Sequence, residues 1–424
     1  MRTTRAPRVR HARAGYALGV AARTAASAVV NSAVAQSFPT SPTRPMPQTP
    51  LHALHAAGQS IWLDFIDRGL LTSGELERRI KDDALTGMTS NPTIFEKALA
   101  KGTAYDAQLS TAAKGRTAWE LFELVETDDV RAACDAFTAV HRAAHGRDGF
   151  VSIEVSPGAA HDAEATIAEA HRLWATVDRP NVMIKVPGTP EGCVALRRLI
   201  ADGLNVNVTL LFAVGAHARV IDAYLGGLED RAAAGGDLRH VASVASFFVS
   251  RVDGAVDAAL EERVRAGSLD RARADALAGR AAIANAKLAY RLFRQRFSGP
   301  RWAALAAKGA QLQRPLWAST STKNPAYSDV LYVEQLIGPD TVNTMPPNTL
   351  EAFRDHGTTA RTVDTDVDAA DKLVAELGAI GISLDAVTDR LLVDGLASFQ
   401  QSFDTLIAGL ERKTATLAQA AGAR

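Results

Sequence analysis

The sequence has little of what would tie it to a metal, a nucleotide, a membrane or an oxidising compartment. Only two cysteines, Cys134 and Cys193, occur in 424 residues, too few and too far apart for a disulfide framework or a zinc site, so a reducing compartment fits best. Neither sign of charge is in excess, with 47 basic side chains against 47 acidic ones, and nothing in that balance draws the chain to nucleic acid or to an anionic membrane. No apolar run approaches the roughly 20 residues that a membrane-crossing helix needs. There is no GxGxxG after a strand and no GxxxxGK(S/T) anywhere, so nucleotide binding lacks its usual phosphate-cradling loop. The histidine pairs His141/His145 and His52/His55 stand at helical spacing but without a carboxylate pattern such as HExxH, and they read as helix-surface residues rather than metal ligands.

Acidic residues are missing altogether until Asp64, whereas seven arginines lie between Met1 and Arg44. That asymmetry sets residues 1–45 apart as a disordered extension or a misassigned start, with an organelle transit peptide the next reading. A secretory signal built on "AGYALGVAA" fits worse, because Arg23 interrupts its apolar part. From Met46 onward the chain reads as one folded domain, 46–424, and its 47% hydrophobic content is enough for a large core.

What is there, past Met46, is alternation. Short stretches rich in Val, Ile and Leu are followed by longer amphipathic ones, the pattern of repeated βα units. Eight strand candidates occur: "SIWLDFI", "LTGMTSN", "FVSIEVS", "VMIKVPG", "NVNVTLLF", "VASVASFFVSRV", "PLWASTST" and "DTVNTMPP". Eight in this order predict a closed parallel (β/α)8 TIM barrel. Helical faces between them include Val130, Ala133, Cys134, Phe137 and Val140, and Ile283, Ala286, Tyr290, Phe293 and Phe297. Cys134 and Cys193 thus read as small core residues. The connectors 93–149 and 254–313 have room for additional helices, and the tail from Leu350 reads as helices packed outside the barrel.

In such a barrel the chemistry sits at the C-terminal ends of the strands. Polar residues fall there in nearly every repeat: Asp64, Asn91, Glu154, Lys185, Asn207 with Thr209, Ser246 with Arg251, and Ser319. Each has a bland alternative. Asn91 before Pro92 suits a helix cap, Asp64 with Asp67 an exposed strand end, Thr209 β-branched filler and Arg251 a solvated charge. Glu154 and Lys185 resist that treatment, since a charge inside an apolar strand is costly unless paired. A structural Glu154–Lys185 ion pair is the strongest competing account. In chemical terms, desolvation of a lysine lowers its pKa and frees the amine to attack a carbonyl. The imine so formed is an electron sink for breaking or making an adjacent carbon–carbon bond, and two carboxylates, Asp64 and Glu154, could move the protons.

"GMTSNPTIF", "SIEVSP", "MIKVPGTPEG", "NVNVTLLF" and "WASTSTKNP" together resemble transaldolase over almost everything after Met46. The resemblance implies a pentose phosphate enzyme that moves a dihydroxyacetone unit from sedoheptulose 7-phosphate to glyceraldehyde 3-phosphate, giving erythrose 4-phosphate and fructose 6-phosphate. It implies no metal and no organic cofactor, a cytoplasmic location, sugar-phosphate partners and a homodimer as the assembly to test for. Carried over, Lys185 would form the Schiff base, Asp64 would act as acid/base at the substrate hydroxyl, and Glu154 would work through a water positioned by Thr209. Asn91, Asn207 and Ser246 would hold the dihydroxyacetone hydroxyls; Arg251 and Ser319 would bind phosphate. Many transaldolases have a second phosphate-binding arginine near the position of Ser321; here Lys323 is the substitute cation, without the guanidinium fork. The related fructose 6-phosphate aldolases tend to carry a tyrosine where this chain has Phe248, and an apolar ring there disfavours release of the unit to water. A non-catalytic sugar-phosphate binder would have lost Lys185 or a carboxylate, and none is lost.

Overall fold

The structure, a computed structural model, describes residues 49–90 and 92–422; the expectations for residues 1–45 and for Asn91 lie outside the described residues. Eight strands form the centre: β1 (Gln59–Asp64), β2 (Leu85–Thr89), β3 (Phe150–Glu154), β4 (Val182–Pro187), β5 (Val206–Leu211), β6 (Ser243–Phe248), β7 (Gln313–Ala318) and β8 (Thr341–Met345). Each pairs in parallel with the next and β8 closes on β1, the (β/α)8 TIM barrel expected from the sequence. The helices around the barrel include α1 (Pro92–Lys101), α2 (Ala118–Ala143), α3 (Val214–Ala233), α4 (Ser250–Arg265), α5 (Ala281–Arg296) and α6 (Leu384–Gly422).

The strands read as nearly unbroken apolar runs because both of their faces are covered. In β4 every residue is buried, yet successive side chains point to opposite sides. Val182, Ile184 and Val186 face the surrounding helices and belong to the large core between strands and helices. Met183 faces inward, where it packs with Trp62, Phe150, Val244, Leu316 and Val342 in a separate apolar layer. Gly87 makes room for that layer: a Cβ there would stand 2.5 Å from the Trp62 indole nitrogen. One step below, Trp62 Nε1 donates to Asp148 (2.9 Å) and Arg314 Nη1 donates to Ser60 Oγ (2.6 Å), which closes the floor. One step above, the same alternation brings Asp64, Thr89, Lys185 and Ser246 inward, and there the layer turns polar.

Two sequence expectations need correction. The sixth strand stops at Phe248 and α4 begins at Ser250, so Arg251 lies in the first helical turn instead of after a long strand. A run of aromatic and β-branched residues gives no stop signal of its own; the backbone bonds Val249 N to Ala318 O (3.0 Å) and Ser250 N to Ser319 O (3.1 Å) turn the chain there. His141 and His145 do not share a helix either, because α2 ends at Ala143 and His145 sits beyond it in the left-handed region (φ 51°). His141 is half-buried and its Nδ1 lies 2.7 Å from the Asp148 carbonyl oxygen.

Candidate active site

A cavity of about 670 Å³ opens at the C-terminal ends of the strands. Lys185 reaches it from β4. The β3/β4 register sets Glu154 directly beside Lys185, and the β4/β5 register sets Asn207 on its other side. Lys185 Nζ donates to Glu154 Oε2 (2.9 Å) and to the carbonyl oxygen of Ser90 (3.3 Å). An ammonium carries three N–H groups, and the described residues use two of them. Both partners are almost wholly buried. Burial raises the Glu154 carboxyl above the usual carboxylate range; the Lys185 charge and hydrogen bond oppose this, and the Asp64 charge adds to it.

Asp64 ends β1 and is oriented by a relay of hydroxyls. Thr89 Oγ1 donates to Asp64 Oδ1 (2.9 Å) and lies 2.8 Å from Thr344 Oγ1. A hydroxyl has a single proton, so Thr344 must donate to Thr89. On the opposite wall Ser246 Oγ donates to Asn207 Oδ1 (2.6 Å), and Asn207 Nδ2 donates to Ser152 Oγ (3.0 Å). Thr209 lines the cavity, and its hydroxyl has no hydrogen-bond partner among the described residues. Beside it, Leu210 has φ 59° and the β5/β6 register slips between Val208 and Leu211. A left-handed leucine is strained by about 1–3 kcal/mol, and such bulges re-aim side chains at the rims of barrels.

The far side of the cavity carries cations. Arg251 is exposed, lies over the Phe248 ring at 5.4 Å and has no ion pair or hydrogen bond to a described residue. Ser319, also left-handed (φ 57°), exchanges a hydrogen bond with Ser250 (2.9 Å). Lys323 donates to Ser321 Oγ (2.8 Å). Lys97 of α1 lines the cavity as well. Asp64, Glu154, Lys185, Thr209, Ser246, Phe248, Arg251, Ser319 and Lys323 thus share one cavity, and Asn207 lies directly behind it. No group of three or more His, Cys, Asp or Glu side chains suited to a metal occurs among the described residues.

Sequence reasoning missed three parts. The Thr89–Thr344 relay joins residues from the second and eighth strands, and hydroxyls in strands look like ordinary β-formers. Glu126 of α2 is buried, and its carboxyl is pushed well above the usual range by that burial and by the nearby Glu154 charge; an internal acid in "LFELVETDD" was the available signal. Most consequentially, α6 does not merely pack outside the barrel: Gly395, Ser398, Phe399 and Ser402 line the cavity.

Comparison with known proteins agrees with this geometry. The family model described as Transaldolase/Fructose-6-phosphate aldolase matches residues 61–410. The chain is 46% identical over 365 residues to "Transaldolase" of Trichodesmium erythraeum (strain IMS101), covering 85% of this chain and 96% of that protein. It is 49% identical over 365 residues to "Transaldolase" of Mycolicibacterium smegmatis (strain ATCC 700084 / mc(2)155), covering 85% and 97%. It is 47% identical over 367 residues to "Transaldolase 2" of Nostoc sp. (strain PCC 7120 / SAG 25.82 / UTEX 2576), covering 85% and 96%. With the match running from the first barrel strand into the last turns of α6, the chain belongs to the transaldolase/fructose-6-phosphate aldolase family.

Proposed function

We propose that Lys185 is the amine on which this enzyme carries its substrate. The chain is a transaldolase of the pentose phosphate pathway, which transfers a dihydroxyacetone unit from sedoheptulose 7-phosphate to glyceraldehyde 3-phosphate and yields erythrose 4-phosphate and fructose 6-phosphate. The observation that carries the assignment is the contact between Lys185 Nζ and Glu154 Oε2 at 2.9 Å inside a cavity. A carboxyl raised by burial is a suitable acceptor for the proton the amine must lose before attack. The ketose carbonyl carbon then bonds to Nζ, and water leaves as the imine forms. Asp64, oriented by Thr89, takes the proton of the C4 hydroxyl while the C3–C4 bond breaks and its electron pair moves into the imine. The first aldose leaves, and a second aldehyde accepts the carbon nucleophile while Asp64 returns the proton to the new alkoxide. Glu154 and Thr209 hold the water that later hydrolyses the imine. Asn207 and Ser246, with Asn91, bind the hydroxyls of the three-carbon unit; Arg251, Ser319 and Lys323 bind the phosphate.

Phe248 supports transfer over aldol cleavage to water, since its ring packs on Phe212 (centroids 5.2 Å apart) and offers no hydroxyl to the cavity. The reading extends to a barrel domain at 46–424 preceded by an extension, and to a cytoplasmic homodimer; both cysteines are free thiols, which suits a reducing compartment. Borohydride trapping with fructose 6-phosphate, followed by peptide mapping, tests the assignment. A reduced three-carbon adduct is expected on Lys185 and absent in Lys185→Ala. An adduct on another lysine, or none, would return Lys185 to the role of a structural partner of Glu154.

A further inference from the structure

The helix that roofs the cavity carries one aromatic ring that belongs to neither apolar core. At about 100° per residue, Leu392, Leu396, Phe399, Phe403, Ile407 and Leu410 of α6 fall within an arc of roughly 80°, a single apolar stripe. Leu392, Leu396, Phe403 and Ile407 pack on the core between barrel and helices, and Leu410 is buried within it. Phe403 also meets Trp119 and Phe122 of α2, with centroids 5.1 and 6.0 Å away. Phe399, at one edge of that arc, is half-buried and packs on neither core; it lines the cavity.

The helix is fixed in that position. Gly395, one turn earlier, lets α6 approach the rim, since a Cβ there would meet Leu210 Cδ2 at 3.2 Å and Arg251 Nη1 at 3.7 Å. Ser402 Oγ accepts from Thr93 Oγ1 (3.0 Å), and Lys413 Nζ donates to the Leu99 carbonyl oxygen at the end of α1 (2.9 Å). The ring is half-buried and lines the cavity beside polar groups, so part of its apolar surface faces the space a substrate would enter.

We propose that Phe399 determines how the three-carbon unit is divided between an incoming aldose phosphate and water. The proposal rests on the reading of the cavity as the transfer site. After the first aldehyde leaves, the unit remains on Lys185 as a carbon nucleophile. Along one course it attacks the aldehyde carbon of the acceptor: a carbon–carbon bond forms, the carbonyl oxygen takes a proton, and hydrolysis of the imine releases the new ketose. Along the other the carbon takes a proton from solvent, water adds to the imine, the Lys185 amine leaves and free dihydroxyacetone is released. Phe399 covers the open side of this intermediate. Its ring packs on the C–H edge of the acceptor's carbon chain and excludes the water that serves the second course.

The test measures dihydroxyacetone release and sedoheptulose 7-phosphate formation from fructose 6-phosphate and erythrose 4-phosphate, in wild type, Phe399→Ala, Phe399→Leu and Leu396→Ala. Loss of the ring's contact is expected to raise the acceptor KM about five- to tenfold and the ratio of release to transfer by a similar factor. Phe399→Leu should restore most of the wild-type ratio. Because Phe399 packs on neither core cluster, Phe399→Ala should melt near the wild-type temperature, whereas Leu396→Ala should melt lower with an unchanged ratio. An unchanged ratio in Phe399→Ala, with the borohydride adduct on Lys185 still forming, would overturn the role of Phe399. Absence of that adduct in the wild type would instead overturn the reading of the cavity.

Discussion

Replacing Lys185 by methionine separates its chemical role from its structural one. The substitution keeps the length and removes the charge, leaving Glu154 buried without its cation. Breaking a buried ion pair by removing one partner costs about 3–5 kcal/mol when the remaining charge persists. Glu154 can escape that penalty by protonating, so the cost must depend on pH. In the wild type, burial already raises its carboxyl and Lys185 restrains the rise; without Lys185 the folded-state pKa climbs further above the unfolded value. A raised carboxyl favours folding below the unfolded pKa of about 4.3 and loses that contribution as pH rises through the folded value. The deficit of Lys185→Met relative to wild type should therefore be small near pH 5. It should then grow by up to about 1.4 kcal/mol per pH unit until Glu154 ionises. Urea unfolding of wild type, Lys185→Met, Glu154→Gln and the double variant between pH 5 and 8 reads this directly. The double variant should recover most of the loss at pH 8, because a neutral amide needs no cation. A deficit independent of pH, or a double variant no more stable than Lys185→Met, would refute the account of the pair.

Two further outcomes follow from groups that lack partners. His217 of α3 is fully buried; neither ring nitrogen has a hydrogen-bond partner among the described residues, and burial lowers its pKa to about 4. A depressed folded pKa gives stability that is present above the unfolded value of about 6.5 and is lost as pH falls toward the folded one, roughly 3 kcal/mol in all; His217→Phe should be as stable as wild type at pH 8 and lose the acid-side fall in melting temperature. Arg251→Ala should raise the KM for phosphorylated acceptors about 10- to 100-fold, the worth of a charge-assisted contact, and leave an unphosphorylated aldehyde nearly unaffected; an equal loss for both acceptors would remove Arg251 from the phosphate site.

The barrel was legible because its strands are covered on both faces and so appear as compact apolar runs, each with a turn signal nearby. The polar ring was legible for the same reason, since Asp64, Glu154 and Lys185 break runs that otherwise contain nothing charged. The end of β6 was not, because "FFVSRV" suits a strand as well as the start of a helix, and only the backbone bonds from Val249 and Ser250 to the end of β7 decide it. The Thr89–Thr344 relay spans 255 positions, a separation no local pattern encodes. The amphipathic stripe of α6 announced that this helix packs on something. It could not announce that Phe399 would be left over a cavity, because a stripe records which face is apolar and not what lies beneath each residue.

The unsatisfied groups of the cavity describe its ligand better than the satisfied ones. Below the rim the interior is complete: an apolar layer around Trp62 and Met183 rests on the bonds of the floor. At the rim most polar groups are paired across strands, which fixes their directions without exhausting their capacity. What remains open is specific. Among the described residues two of the three Lys185 N–H groups are used, the Thr209 hydroxyl has no partner, Arg251 has no ion pair, and Phe399 lies outside both apolar cores. An electrophilic carbon at Lys185, hydroxyls along the chain, a carbon–hydrogen edge under Phe399 and a dianion at Arg251 would satisfy all four, and a ketose phosphate offers them in that order. The inward charges are tolerated because Glu154 and Lys185 hold each other. Under the proposed mechanism that pair must part before the amine attacks, so the contact that holds these charges in the fold would also be the first one catalysis has to break.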